Sequence, residues 1–365
     1  MDPIQISFFG ATNSGKSTLV NAIAGQSVSL VSELPGTTTD PVRKRMELPG
    51  IGPCVLVDTA GYGDPGELGA RRERLTRAVV DSTDIAVLLV SGHPLDDKWL
   101  SFLQEADIPV VKVAAWHPGQ EESHPEAASE SILRRLVAVL PKEDKTFLTG
   151  RLVHEGSIVV LVMPQDSEAP KGRLILPQVQ VLRELLDRGC VPVCCTQESL
   201  PQALKRLQDQ PDLVITDSQV FKQVESLVPK TCPLTSFSIL LAAAKGDIAV
   251  FVAGAKAMEN LPGNARILVA EACTHVPDTE DISRVKIPAL LRRRIPDLKV
   301  DVAAGNDFPE DLSPYQLIIH CGACVASSRL VQARIKKALC AGVPITNYGI
   351  AIAWLQGILD RVSLP

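Results

Sequence analysis

Apolar and polar positions follow two periods along this chain. Residues 4–9 alternate as a strand that runs into a glycine turn, and Lys16–Ala24 carries the 3.6-residue period of a helix. Short, fully apolar runs at 54–57, Ile85–Val90 and 110–115 read as strands, and a polar stretch at 120–131 precedes a helix-like segment at 132–140. Strands apolar on both faces belong to parallel sheets covered on both sides. The pattern predicts a mostly parallel α/β domain over residues 1–150.

The alternation then repeats. A strand at 157–162, a helix at 177–188 ending on Gly189, a strand Val191–Cys195, a helix at 201–209 and a strand Leu213–Thr216 predict a second parallel unit over 151–247. A third, over 248–365, opens with a helix at 248–261 and the turn Pro262-Gly263-Asn264. Its strands fall at 266–270, 298–303, Leu317–His320 and 344–346, with helices near 282–293, Ser328–Cys340 and 350–362. The fold class is α/β, with three α/β domains, and neither a short-period repeat nor a low-complexity tract interrupts them.

Composition bounds what these domains do. The 365 residues are 45% hydrophobic and 22% charged, so real cores form. Aromatics are 4%, and the cores must rest on Leu, Val, Ile and Ala. The 37 Lys and Arg against 42 Asp and Glu leave a formal charge of −5, which argues against nucleic acid as a partner. No basic region followed by an apolar run opens the chain, and the apolar stretch at 240–258 is broken by Lys245, Asp247 and Lys256. The expectation is a cytoplasmic protein with no membrane partner, whose nine cysteines are buried thiols or metal ligands.

Gly10-Ala11-Thr12-Asn13-Ser14-Gly15-Lys16-Ser17 fits the phosphate-binding pattern G-x-x-x-x-G-K-[ST], between a strand and a helix as the motif requires. Its glycines let backbone amides curl around phosphate oxygens, and the helix N-terminus adds a favourable dipole. Lys16 is expected on the β- and γ-phosphates and Ser17 on Mg2+, with Ser14, Gly15 and Thr18 completing the cradle. Asp58-Thr59-Ala60-Gly61 follows the apolar strand at 54–57. There Asp58 would hold Mg2+ through water and the Gly61 amide would meet the γ-phosphate. Pro35-Gly36-Thr37-Thr38-Thr39-Asp40 looks like a GTPase switch, with Thr38 the preferred magnesium ligand and Thr39 second. Asn13 resembles the asparagine that helps hold K+ in potassium-activated GTPases.

Two departures accompany this motif set. The guanine-reading Asn-Lys-x-Asp is missing: its place is taken by 110–116, where only Lys112 survives. Loss of a bidentate acceptor costs about 1–3 kcal/mol of base discrimination, by analogy with paired base readout. No glutamine follows Gly61, where Tyr62, Gly63 and Asp64 stand, so turnover is expected to be slow.

Cys273-Thr274-His275 and His320-Cys321-Gly322-Ala323-Cys324 each follow a strand of the third unit. Ligands gather beyond the carboxyl ends of parallel strands, so these cysteines are expected to converge at one edge. Three thiolates with imidazoles suit soft metals, and zinc and an iron–sulfur cluster both fit.

Together with these motifs, the run Asp166-Ser167-Glu168-Ala169-Pro170-Lys171-Gly172-Arg173-Leu174-Ile175-Leu176-Pro177-Gln178, then Thr216-Asp217-Ser218-Gln219, Leu234-Thr235-Ser236-Phe237-Ser238-Ile239-Leu240, Arg284-Val285-Lys286-Ile287-Pro288 and Gly342-Val343-Pro344-Ile345-Thr346-Asn347-Tyr348-Gly349 make the whole chain resemble the FeFe-hydrogenase maturation GTPases, the HydF family. The resemblance implies a GTPase domain, a dimerisation domain and a cluster-binding domain, assembled as a homodimer or a tetramer. It implies a 4Fe-4S cluster on Cys273, Cys321 and Cys324, with Glu280, His275 or His320 as a non-cysteine fourth ligand. It also implies the role: a GTPase scaffold that accepts a two-iron precursor from radical-SAM maturases and delivers it to apo FeFe-hydrogenase. The contrasting expectation is a GTPase of tRNA modification or ribosome assembly whose C-terminal cysteines bind structural zinc.

Overall fold

The structure, a computed structural model, describes residues 3–25, 41–115, 125–140, 147–164, 174–272, 282–305 and 307–365. Thr38, Thr39, Trp116, Cys273, His275 and Glu280 lie outside the described residues. The chain divides into two compact units, Met1–Asp144 and Lys145–Pro365.

In the first unit the order is β1 (Ile4–Gly10), α1 (Lys16–Ala24), β2 (Val42–Leu48), β3 (Gly52–Asp58), α2 (Gly66–Val80), β4 (Ile85–Val90), α3 (Asp96–Glu105), β5 (Val110–Ala114) and α4 (Pro125–Ala138). The described strands form one sheet in the order β2-β3-β1-β4-β5, parallel except for β2, which pairs antiparallel with β3. The apolar runs were legible as strands. β2 was not, because Val42-Arg43-Lys44-Arg45-Met46-Glu47-Leu48 is a polar edge strand. Side chains leave β1 on alternate faces. Phe8 therefore enters one core with Leu19, Leu56 and Val87, and Phe9 enters the other with Val57, Leu88, Trp99 and Leu103.

The second unit continues with β6 (Ile158–Val162), α5 (Leu176–Asp187), β7 (Val191–Cys195), α6 (Leu200–Arg206), β8 (Leu213–Thr216), α7 (Phe221–Leu227), β9 (Leu234–Ser236), α8 (Phe237–Lys245) and α9 (Ile248–Lys256). It closes with β10 (Arg266–Glu271), α10 (Ile287–Arg292), β11 (Lys299–Ala304), β12 (Leu317–His320), α11 (Ser328–Cys340), β13 (Ile345–Asn347) and α12 (Tyr348–Leu355). Its described strands form two parallel sheets, β7-β6-β8-β9 and β11-β10-β12-β13. The strand order is the same in both, with the first strand inside and its successors on opposite sides. The likeness extends to the last strand of each: Ser236 Oγ caps α8 through the Ile239 amide, and Asn347 Oδ1 accepts from the Gly349 amide at the start of α12. One hydrophobic core runs from Val160, Val214 and Leu234 of one sheet to Ile267, Val269 and Ile319 of the other.

The apolar stretch at 240–258 resolves into two helices. Gly246 separates them, and Asp247 starts α9 by accepting from the Ala249 and Val250 amides. Among the described residues no single helix is long and apolar enough to cross a membrane; this pair is bent by 119°. Its Ile239, Leu240 and Phe251 side chains are buried in the protein core. The helix expected at 350–362 stops at Leu355 because Gly357 turns at φ 72, and a short 3-10 turn follows at Leu359–Arg361. The helix near 282–293 begins as a π turn, Ile282–Lys286, before α10.

α9 lies so close to β13 that a Cβ on Gly254 would sit 2.0 Å from the Ile345 carbonyl oxygen. Gly254→Ala is expected to destabilise this unit by about 1–3 kcal/mol, as overpacked cores do. Urea unfolding followed by circular dichroism checks it, and an unchanged midpoint would contradict the close seating of α9.

Candidate functional site

The turn after β1 takes the shape that phosphate oxygens need. Asn13 and Gly15 are left-handed, at φ 63 and 90, and α1 starts at Lys16. Gly10 has no room for a side chain, since a Cβ there would lie 2.6 Å from Ser14 Oγ and 3.1 Å from Leu89. Ser14 Oγ and Thr12 Oγ1 are buried without a hydrogen-bond partner among the described residues. Two orphaned hydroxyls in a glycine-shaped cradle are what a bound anion would satisfy.

Lys16 is buried, and its Nζ donates to the Gly10 and Ala11 carbonyls at 3.0 and 2.8 Å. Burial pushes its ammonium from the usual 10.5 down to about 8, against the raising pull of Asp58 and Asp64. The Ser17 hydroxyl donates to Asp58 Oδ2 at 2.6 Å, and Asp58 is fully buried. Two groups expected on Mg2+ from distant motifs are thus adjacent. A cation between them would be bound by a hydroxyl oxygen and a carboxylate, a hard-oxygen set that suits Mg2+. Thr18 is half-buried on the first turn of α1.

Gly61 abuts the same loop. A Cβ on it would stand 2.5 Å from Thr12 Oγ1 and 2.7 Å from the Thr12 amide nitrogen, so only glycine fits. A parallel bridge joins Ala11 to Tyr62: the Thr12 amide donates to the Tyr62 carbonyl at 3.0 Å, and the Tyr62 amide to the Gly10 carbonyl at 3.3 Å. The Tyr62 side chain turns inward, stacks on Trp99 and donates its hydroxyl to Asp96 Oδ1 at 2.7 Å. Burial, the Asp96 hydrogen bond and the Asp96 charge all push the Tyr62 phenol up. Burial works to raise the Asp96 carboxyl, yet the Tyr62 hydroxyl and the Ser91, His93 and Gly92 amides hold it below the usual range. Tyr62 therefore anchors this loop and offers nothing to orient water.

The second constellation lies at the carboxyl edge of the sheet β11-β10-β12-β13. Strand order reverses between β10 and β12, the position where open parallel sheets bind ligands. Cys321 and Cys324 are half-buried thiols outside any disulfide. Cys321 Sγ accepts from the Ala272 amide at 3.1 Å and the Ala323 amide at 3.4 Å. Ala323 sits at φ 50, a left-handed turn that alanine adopts only at a cost. Lys245 is buried under this turn and donates to the Ala323 and Ala326 carbonyls at 2.7 and 2.8 Å. Asn347 Nδ2 reaches the Cys321 carbonyl at 3.3 Å.

His320 is fully buried with both ring nitrogens engaged. Arg334 Nη1, which can only donate, meets Nε2 at 3.0 Å, so the ring proton is on Nδ1, which donates to the Cys321 carbonyl at 2.8 Å. Burial first and the Arg334 charge second push this imidazole down to about 3, against the pull of the Cys321 carbonyl. Among the described residues no group of three or more His, Cys, Asp and Glu could hold a metal. What is described still fits a thiolate-bound metal: a sulfur that receives two amide N–H groups, one of them from Ala272, the residue before Cys273.

Sequence reasoning missed Tyr62, Asp96, Lys245 and Arg334. Two of them carried a signal: Lys245 interrupts an apolar stretch, and Arg334 with Val331, Ile335 and Ala338 completes the apolar stripe of α11, both unusual places for a cation.

The lowered Lys16 ammonium has a measurable consequence. Between pH 8 and 10.5 the unfolded chain keeps a proton that folded Lys16 has released, so stability rises with pH across that window. Relative to Lys16→Met, the wild-type protein should gain about 3 kcal/mol from pH 7.5 to 10.5. Urea midpoints of both proteins over this range check it, and a constant difference would contradict it.

Three family models match the chain. One described as 50S ribosome-binding GTPase covers residues 5–115, one described as Hydrogen maturase F dimerization domain covers 148–246, and one described as Hydrogen maturase F tetramerization domain covers 249–365. Curated relatives of the MnmE type resemble the GTPase domain only. The tRNA modification GTPase MnmE of Methylobacterium radiotolerans is 48% identical over 82 residues, 22% of this chain and 18% of that protein. GTPase Der of Hyphomonas neptunium is 34% identical over 118 residues, 31% of this chain and 23% of its own. The matches thus span about a fifth of these relatives. Among solved structures, a variant of Era from Aquifex aeolicus bound to GDP and aluminium fluoride aligns at a TM-score of 0.29 and 15% identity, over 90% of this chain and 99% of that one. A variant of NFeoB from S. thermophilus, also bound to GDP and aluminium fluoride, aligns at 0.23 and 17%, over 41% and 74%. The likeness to RNA-modification GTPases stops at the first unit, so that reading of the whole chain is not favoured. The two hydrogen maturase models together take in most of the chain beyond it, and with the GTPase domain ahead of them they establish that the chain belongs to the hydrogen maturase F family.

Proposed function

We propose that this chain is a metallocluster scaffold of FeFe-hydrogenase maturation, with its GTPase domain as the control element. The observation that carries this reading is Cys321 Sγ at the strand-order reversal with two amide N–H groups on it, one of them from Ala272, which precedes Cys273 in the sequence. Cys273, Cys321 and Cys324 would hold a 4Fe-4S cluster. The fourth position falls to His275 or Glu280, since His320 uses both ring nitrogens inside the protein. A carboxylate or imidazole there yields to an incoming bridging ligand more readily than a thiolate. The cargo is a two-iron precursor, received from radical-SAM maturases and passed to apo FeFe-hydrogenase. The dimerization and tetramerization domains support self-association, and the second unit would divide in function into 151–247 for dimerisation and 248–365 for the cluster.

In the first unit, GTP phosphates would lie in the cradle of Gly10, Asn13, Ser14, Gly15 and Lys16. Ser17, Asp58 and Thr38 would hold Mg2+, and the Gly61 amide would meet the γ-phosphate. The inward-turned Tyr62 supports slow turnover. Asn13, left-handed and exposed in the loop, supports stimulation by K+ over Na+.

Anaerobic reconstitution with iron and sulfide tests the reading. The wild-type protein should take up about four irons per chain with the EPR signal of a reduced cubane cluster, and Cys321→Ala and Cys324→Ala should lose both. Stoichiometric zinc without iron, or full iron in either variant, would overturn it.

A further inference from the structure

Arg334 stands out as a cation whose place no nucleotide, partner or core argument explains. It lies on α11 with 2% of its surface exposed, its guanidinium against the Phe308 ring at 4.8 Å. A buried guanidinium is costly unless its N–H groups are used. Here they join the ends of three strands: Nη1 donates to the Glu271 carbonyl at 3.0 Å and meets His320 Nε2, while Nη2 donates to the Gly305 carbonyl.

The Glu271 carbonyl shares a peptide group with the Ala272 N–H, which donates to Cys321 Sγ at 3.1 Å. Among the described residues no peptide bond is cis, so the carbonyl and N–H of this group point opposite ways. Arg334 therefore pulls on the oxygen end of a peptide whose hydrogen end is on the cysteine sulfur. Hydrogen bonds in such a chain polarise one another, and in a buried site the cation's field is weakly screened.

We propose that Arg334 is a positioning residue for the cysteine edge, gripping the Glu271–Ala272 peptide so that its N–H stabilises negative charge on Cys321 and raises the reduction potential of the cluster that Cys321 helps to hold. This rests on the cluster reading above. One-electron reduction adds a negative charge to a thiolate-bound cluster, and hydrogen bonds to its sulfurs are among the levers that set its potential. Arg334 works from behind the edge, through backbone, and so tunes the cluster without occupying a coordination position.

The test is a redox titration, followed by EPR, of iron- and sulfide-reconstituted wild-type, Arg334→Gln, Arg334→Lys and Ala272→Pro proteins, with iron content measured in each. Ala272→Pro removes the N–H while leaving Arg334 in place. Arg334→Gln and Ala272→Pro should hold wild-type iron and titrate more negative, by about tenfold in the one-electron equilibrium, or about 59 mV. Arg334→Lys, which keeps the charge and loses the fork, should fall between. Wild-type potentials in the loaded variants would overturn the proposal and leave the cluster reading standing, whereas a wild-type protein that takes up no iron would sink that reading. If Arg334→Gln does not fold, Ala272→Pro and Arg334→Lys decide, and an unshifted potential in either overturns the proposal.

Discussion

A parallel strand hands its chain to the following loop at the same edge as its neighbour, and the chemistry of this molecule follows from that constraint. In the first unit β1 delivers the glycine turn and β3 delivers Asp58 to Gly61 to adjacent positions. Ser17 and Asp58, forty-one residues apart, become hydrogen-bonded partners. In the second unit β10 and β12 deliver Ala272 and Cys321 together, across forty-nine residues. Antiparallel pairing of either strand would send its loop to the opposite edge.

Both edges handle charge in the same way. Lys16 holds the Gly10 and Ala11 carbonyls, Lys245 holds those of Ala323 and Ala326, and Arg334 holds those of Glu271 and Gly305. Each is a buried cation that consumes backbone oxygens. The Glu271–Ala272 peptide is the clearest instance, with a guanidinium on its oxygen and Cys321 on its nitrogen. Buried cations of this kind organise a binding edge before any ligand arrives.

The second and third sheets repeat one strand order, and their final strands cap the next helix with Ser236 and Asn347 in equivalent places. Their shared core joins both sheets in one compact unit, although the sequence reads as two successive α/β segments. The same scaffold thus serves two ends. Its second copy carries cysteines beyond β12, where the first has Asp217 and Ser218 beyond β8.

Most of this architecture was legible in the residues, because its signals are local. Apolar runs mark strands that are buried on both faces, and Lys16–Ala24, Ile85–Val90, Val191–Cys195, Leu213–Thr216, Leu317–His320 and Ser328–Cys340 fall where the pattern puts them. The phosphate loop was legible for the same reason, since its glycines and lysine act within one turn. The polar edge strand β2 was hidden, because half its residues face solvent and carry no apolar period. Hidden too were the roles of Tyr62, Lys245 and Arg334, whose partners Asp96, Ala323 and Glu271 lie thirty-four to seventy-eight residues away. Charge on a residue says that it needs a partner once buried; which carbonyl, and which sulfur beyond it, depends on how the strands are ordered in the sheet, and a linear chain does not contain that order.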